Sequence, residues 1–162
     1  AQNINAIKDD TLEVEIYMKQ KTRDLLFELT VKEGDPDRIS NITGTLSGIA
    51  GSFDLSSQRI CGEAMNTSFP FARTNDKITA HTRLLGTTGL KQSLRIDLTF
   101  TDGSSQTIEN DLTDLLKNFN DDMPTPMYIT GDLLTPIEAD MTATIVGWEN
   151  GNEENGENIE IY

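Results

Sequence analysis

What the sequence has little of sets the first bounds on what it does. It contains one cysteine, Cys61, and one histidine, His81, among 162 residues. A lone cysteine excludes an internal disulfide and leaves cysteine usage silent about redox compartment. A lone histidine excludes a multi-histidine metal site, and any Ser-His-Asp triad would have to run through His81. Positive charge is also scarce. Thirteen lysines and arginines stand against 27 aspartates and glutamates, a net charge of −14. That sign excludes a non-specific nucleic-acid binder and is repelled by anionic lipid surfaces. Aromatic residues make up only 6% of the chain and are scattered singly, so no stacking platform for a glycan stands out. No apolar run approaches the roughly 18 residues of a membrane-spanning helix. Neither a signal-peptide pattern nor a lipid-attachment motif is visible, and the opening AQNINAIKDD reads as a processed or trimmed start.

What the chain does have is alternation. At this length a single domain buries roughly 70% of the surface its unfolded form exposes, so it needs no staples. Residues 12–18 place Leu12, Val14, Ile16 and Met18 on one face. Residues 25–31 do the same with Leu25, Phe27, Leu29 and Val31. A period of two with one apolar face reads as half-buried antiparallel strand. The stretch Ile39–Leu55 follows the turn signal Gly34-Asp35-Pro36-Asp37, and it is interrupted by Gly44, Gly48 and Gly51. Glycines there predict a bend, after which the chain folds over into a second strand, Ser52–Leu55, as a corner between two packed sheets requires. Phe69 and Phe71 alternate across Pro70, which confines that strand to an edge or a bulge. Ile78–Leu84, Leu94–Phe100, a return strand around Ile108, Met127–Leu133 and 141–148 complete the set. Asp102-Gly103 predicts a hairpin with positive φ at both turn positions. Leu112, Leu115, Leu116 and Phe119 fall at helical spacing and predict one short amphipathic helix, capped by Asn110, Asp111 or Thr113 and stopped by Pro124 and Pro126. Eight or nine strands with one helix and no βαβ alternation predict an all-β fold, a two-layer antiparallel Greek-key sandwich.

Each candidate for chemistry has a plainer reading beside it. The strand period places His81 on the face away from the core, towards solvent. Cys61, beside Gly62, reads as a small semi-buried hydrophobe rather than a nucleophile, with only Arg59 near in sequence to lower its pKa. Glu33, Asp35 and Asp37 cluster in one turn, and Asn120, Asp121 and Asp122 in another. Oxygen ligands of this kind suit calcium, but the spacing is not that of a calcium loop, and Asp and Asn occupy turns for backbone reasons. Trp148 could stack on a sugar; a single tryptophan at a strand end more often closes a core. The residues thus point to no catalytic site, no metal site and no cofactor.

Several motifs occur together in one order: GDPDRI at 34–39, TLSGIAGSFDL at 45–55, the hairpin at 94–103, ND-LTDLL at 110–116, and Gly147-Trp148-Glu149. Over roughly residues 20–149 the chain resembles the second, C-terminal domain of the fimbrillin-associated anchor and minor-subunit proteins of Bacteroidales surface fimbriae. The resemblance implies a transthyretin-like sandwich, a lipid-anchored precursor displayed at the outer membrane, and a non-catalytic role in pilus anchoring, capping or adhesion. Its implied partners are other fimbrial subunits or host and bacterial surface ligands, with membrane contact only through a lipid anchor not present in this chain. A glycan-binding module of an outer-membrane polysaccharide-uptake system is the alternative.

The expected organisation is a sandwich over 1–148 followed by an acidic tail over 149–162. Glu149–Asn158 consists only of Glu, Asn and Gly, and cannot bury itself. The last five residues, Asn158, Ile159, Glu160, Ile161 and Tyr162, form a short alternating segment. It either returns to pair with an edge of its own sheet or adds as a strand to a different subunit, where backbone hydrogen bonds bind and alternate pockets select.

Overall fold

The computed structural model describes residues 17–122, 124–136 and 142–151. They form two sheets packed face to face. In chain order the strands are β1 (Arg23–Glu33), β2 (Ile39–Asp54), β3 (Arg59–Pro70), β4 (Ala72–Thr74), β5 (Lys77–Leu84), β6 (Ser93–Phe100), β7 (Ser105–Asp111), β8 (Met127–Leu134) and β9 (Thr144–Gly151), with one helical turn, α1 (Thr113–Leu116), between β7 and β8. One sheet has the order β4-β5-β1-β8-β9, the other β3-β2-β6-β7. The expected all-β sandwich is therefore present. Its one parallel pair among the described strands is β1 with β8, Leu25 opposite Met127 and Val31 opposite Leu133.

The period of two explains the core. Leu25, Phe27 and Leu29 of β1 and Ile129 and Leu133 of β8 are essentially fully buried, and they face Leu46, Leu94, Ile96 and Leu98 from the other sheet. Leu112, Leu116 and Phe119 plug the core from the α1 segment. The helix is shorter than its stripe suggests, a single turn, yet the stripe faces where the spacing puts it. None of the three capping candidates occupies the N-cap, which is Leu112 with no side-chain cap bond. The Asp111 carboxylate makes a local turn bond instead, accepting the Thr113 amide at 3.0 Å. Of the strand expected over 12–18, residues 12–16 lie outside the described residues, and Tyr17 and Met18 are exposed and belong to no strand.

The corner between the sheets is not where the glycines suggest. β2 runs for 16 residues in one sheet, and the expected second strand Ser52–Leu55 is not separate. Ser52–Asp54 end β2, paired with β3 as far as Asp54 opposite Arg59, and Leu55 lies in the turn that follows. Its glycines have other duties. Gly48, at φ +70°, makes a bulge between Leu46 and Ile49 that swaps the buried face. Gly44 makes room for two rings: a Cβ there would sit 2.7 Å from Phe69 and 2.8 Å from Phe71. The chain changes sheets at Pro70–Phe71, between β3 and β4. Proline offers no amide to the ladder, so the strand can end there without an orphaned donor. The Phe71 amide bonds back to the Ile42 carbonyl at 3.1 Å, and Phe27, Phe69 and Phe71 pack together with centroids 5.6–6.1 Å apart.

The β6–β7 hairpin forms as expected, but with a different turn. Only Gly103 has positive φ; the Gly103 amide bonds to the Phe100 carbonyl and the Phe100 amide to the Ser104 carbonyl. A turn followed by one left-handed glycine needs a single residue of special conformation, not two. β9 continues three residues past Trp148 to Gly151, pairing Glu149 with Thr130 and Gly151 with Tyr128.

Candidate functional site: free strand edges and a charged cleft

Two kinds of surface stand out. The first is strand edge. β3 and β9 each lie at the rim of a sheet with no further described strand beyond them. β3 is 12 residues long. Past Leu46 the partner strand β2 leaves β6 and is held on that side by the 86–88 segment, through the Ile49–Thr87 bridge and bonds at Gly48 and Ala50. Beyond Ala50 the β2–β3 pair projects as a two-stranded arm. Cys61 to Asn66 are all exposed, and Met65 lies across Gly51 with 56% of its surface open. An edge of this length is a template for another strand unless it is bent or charged. Gly62, at φ +83°, supplies one bend opposite the irregularity at Ala50–Ser52. β9 is bent in the same way at Gly147, φ +65°, where its register against β8 shifts.

The second surface is a cleft of about 460 Å³ at one end of the sandwich, lined by Lys19, Gln20, Lys21, Phe53, Gln58, Arg59, Ile60, Leu85, Asn120, Asp121, Asp122 and Pro124. The tip of the β2–β3 arm and the segment before β1 form one wall, the turns after α1 the other. The walls are fixed from behind. Buried Arg23 donates from Nε to the Thr125 carbonyl (2.6 Å) and from one terminal nitrogen to those of Asn118 (3.1 Å) and Phe119 (2.8 Å), stacking 5.4 Å from the Phe119 ring. Burial pulls the Arg23 pKa down, and the nearby Asp122 and Asp121 carboxylates oppose that shift. Asn120 bonds both the amide and the carbonyl of Thr87, each at 2.9 Å. Lys21 donates to Gln58 and lies 5.2 Å above the Phe53 ring. At the arm's tip, hydrogen bonds from Ser57 and Ser56 lower the Asp54 pKa to about 2.

The charges in the cleft are unusual for this chain. Most of its described lysines and arginines are paired with carboxylates, from Lys32 with Asp132 to Arg95 with Asp97. Lys19, Lys21, Arg59 and Lys117 are not, among the described residues, nor is Arg23, whose guanidinium bonds to backbone carbonyls instead.

Comparison with known proteins now bears on this architecture. Residues 1–154 match the model of the fimbrillin-A-associated anchor proteins Mfa1 and Mfa2. The chain belongs to that family. Two solved structures share its fold: the fimbrial anchor protein Mfa2 from Porphyromonas gingivalis (TM-score 0.54, 15% identity, 80% of this chain and 46% of that one) and a candidate adhesin from Bacteroides ovatus (TM-score 0.53, 13% identity, 83% and 55%). The chain thus spans about half the length of each. No curated protein matches the sequence.

Within this anchor-family sandwich the residues singled out from sequence fall as follows. Trp148 packs partly buried against the core, its ring held close to Gly131, and its indole N–H is buried with no partner among the described residues. It offers no platform to a sugar. His81 lies on the outer face, as its period requires, and binds Asp24 at 2.8 Å alongside Arg83, also at 2.8 Å. Cys61 is exposed on β3, not semi-buried, because the arm leaves the sandwich before reaching it; its sulfur lies 3.4 Å from the Ser52 hydroxyl. The acidic turn at 33–37 is engaged structurally: Asp35 caps the short 3-10 turn Pro36–Arg38, and Asp37 pairs with Arg73 at 2.8 Å. Among the described residues no group of three or more His, Cys, Asp or Glu is placed to hold a metal, and no helix is long and apolar enough to cross a membrane. The segment Asn158–Tyr162 lies outside the described residues. Sequence reasoning passed over the cleft, since its walls come from four separated stretches. The one signal available was the pairing of Arg59 with the basic run Lys19–Lys21 in an otherwise acidic chain.

Proposed function

We propose that this chain is a non-catalytic, cell-surface subunit of a fimbria, acting in pilus anchoring, assembly or attachment through its strand edges and termini. Family membership carries the reading; the rims of β3 and β9 support it, because no described strand lies beyond them and such a backbone ladder is what another strand extends. Its partners are other fimbrial subunits or surface ligands. Display at the outer membrane through a lipid anchor belongs to the same reading.

The terminal segment Asn158–Tyr162 is the strand we assign to this pairing. The chain leaves β9 at Gly151, so six residues intervene before Asn158. A reversal there would lay Ile159 and Ile161 along the outer rim of β9 in antiparallel sense; with more extension the same segment would reach a neighbouring subunit. Deleting residues 158–162 tests both. Self-pairing predicts a lower melting temperature with subunit binding intact. Donation predicts an unchanged melting temperature and lost binding to partner subunits. If both measurements match the full chain, the segment has no such role.

A further inference from the structure

We propose that the cleft between the tip of the β2–β3 arm and Asn120, Asp121, Asp122 and Pro124 binds a carboxylated sugar, of the uronic or sialic acid class. The argument starts from charge. In a chain at −14, Lys19 and Arg59 hold no ion pair among the described residues, and both face one concavity. Two cations without an ion-pair partner among the described residues, on one wall of a cleft, leave donors free for an anion there, although Asp54 stands opposite Arg59 in register and Asp121 and Asp122 line the other wall. Arg59 adds a planar fork suited to bidentate recognition of a carboxylate.

The opposite wall decides what kind of anion. Asp121 and Asp122 present carboxyl oxygens, which are acceptors, so a ligand there is best matched by hydrogen-bond donors. They repel a dianionic phosphate or an acidic peptide tract, which would bring further negative charge to that side. A sugar acid satisfies both walls: one carboxylate towards Lys19 and Arg59, adjacent hydroxyls towards Asp121 and Asp122. Ile60, with the part of the Phe53 ring that Lys21 leaves open, supplies apolar surface for the C–H face of a ring. The volume, about 460 Å³, falls within the range of roughly 300–1,000 Å³ typical of small-molecule sites. The walls are also held in place before any ligand arrives, by Arg23 on the 118–125 carbonyls, by Asn120 on Thr87 and by Lys21 on Gln58. A fixed site loses less ordering entropy on binding. Trp148 takes no part.

The site is independent of strand pairing, so its failure leaves the assembly reading to the truncation test. Isothermal titration and saturation-transfer NMR on the full chain would use 3′-sialyllactose, digalacturonic acid, lactose and a tetraglutamate peptide. The expected result is binding of at least one carboxylated sugar with Kd near or below about 1 mM. Lactose and tetraglutamate should bind at least ten-fold more weakly. The double variant K19Q/R59Q, with a melting temperature matching the parent, should lose at least ten-fold in affinity for the carboxylated sugar, and D121N/D122N should also weaken it. The proposal is overturned if neither carboxylated sugar binds, if lactose or tetraglutamate binds equally well, or if K19Q/R59Q binds as the parent does.

Discussion

Arg23 shows how one residue can tie a strand to a surface it does not belong to. It opens β1, is 7% exposed, and its guanidinium satisfies three backbone carbonyls that lie 95 to 102 residues further along the chain. Replacing it with methionine keeps much of the volume but leaves carbonyls of Asn118, Phe119 and Thr125 without their donor. Hydrogen bonds to a charged group contribute about 1.5–3 kcal/mol, and a stranded buried acceptor costs about 1–3 kcal/mol. We expect R23M to lose about 3 kcal/mol in urea denaturation. R23K should recover less than half, since an ammonium cannot reproduce the planar fork. Equal stability of R23M and the parent would mean that water replaces the guanidinium. Nothing in the sequence marks this role, because Arg23 precedes the apolar alternation and reads as a polar lead-in. Residues whose duty is set by their own strand were legible: Leu25, Phe27 and Leu29 face inward because period two leaves them no alternative. Gly44 lies between these cases. Its presence in a strand predicted a bend, whereas what it provides is room for the Phe69 and Phe71 rings.

At the scale of elements, strand existence was legible and strand partnership was not. The period of two gives a strand its buried face; it says nothing about which strand lies alongside. The parallel β1–β8 pair joins segments about a hundred residues apart, and the sheet crossover sits at Pro70–Phe71 because a missing amide ends a ladder more cleanly than a glycine bend. The arm's length follows from β6 stopping at Ser93, which no local pattern in β2 encodes. Pairing also creates electrostatics that neither strand carries alone. Register places Asp24 of β1 opposite Arg83 of β5, with His81 beside it, and hydrogen bonds from Arg83 first, then His81, hold the Asp24 carboxyl below its ordinary range despite the opposing effect of burial. An unfolded aspartate titrates at about 3.9. Between that value and the lower folded one, the unfolded chain binds more protons than the folded chain. Asp24 therefore contributes stability that is fully present above roughly pH 4 and is lost as pH falls through its folded pKa. D24N should be less stable than the parent at pH 7, with the two curves converging at the acid end of a pH series of urea melts. A constant offset at every pH would assign the loss to packing instead.

For the whole molecule, composition excluded more than it identified. The sign and size of the net charge removed nucleic acid, and the single histidine and cysteine removed whole classes of site, while the family resemblance supplied the only positive identity. The cleft could not be read at this scale, because its cations and carboxylates meet only after the arm, the segment before β1 and the turn at Asn120–Asp122 converge. The same net charge makes a prediction of its own. Fourteen uncompensated negative charges on a folded body repel one another over distances well beyond contact, and that self-repulsion opposes the compact state. The surface ion pairs pull the other way, but they act at 2.8 to 3.8 Å. Raising ionic strength from about 0.01 M to about 0.15 M shortens the screening length from about 30 Å to about 8 Å. Interactions across the molecule are then largely lost, whereas pairs in contact keep most of theirs, and exposed pairs contribute only about 0–1 kcal/mol each to begin with. Salt thus relieves more repulsion than it removes attraction. Sodium chloride should raise the melting temperature over this range, by about 2–4 °C for each kcal/mol relieved in a chain of this size. Calorimetry at fixed pH reads it directly, and a falling melting temperature would mean that the contact pairs outweigh the long-range field.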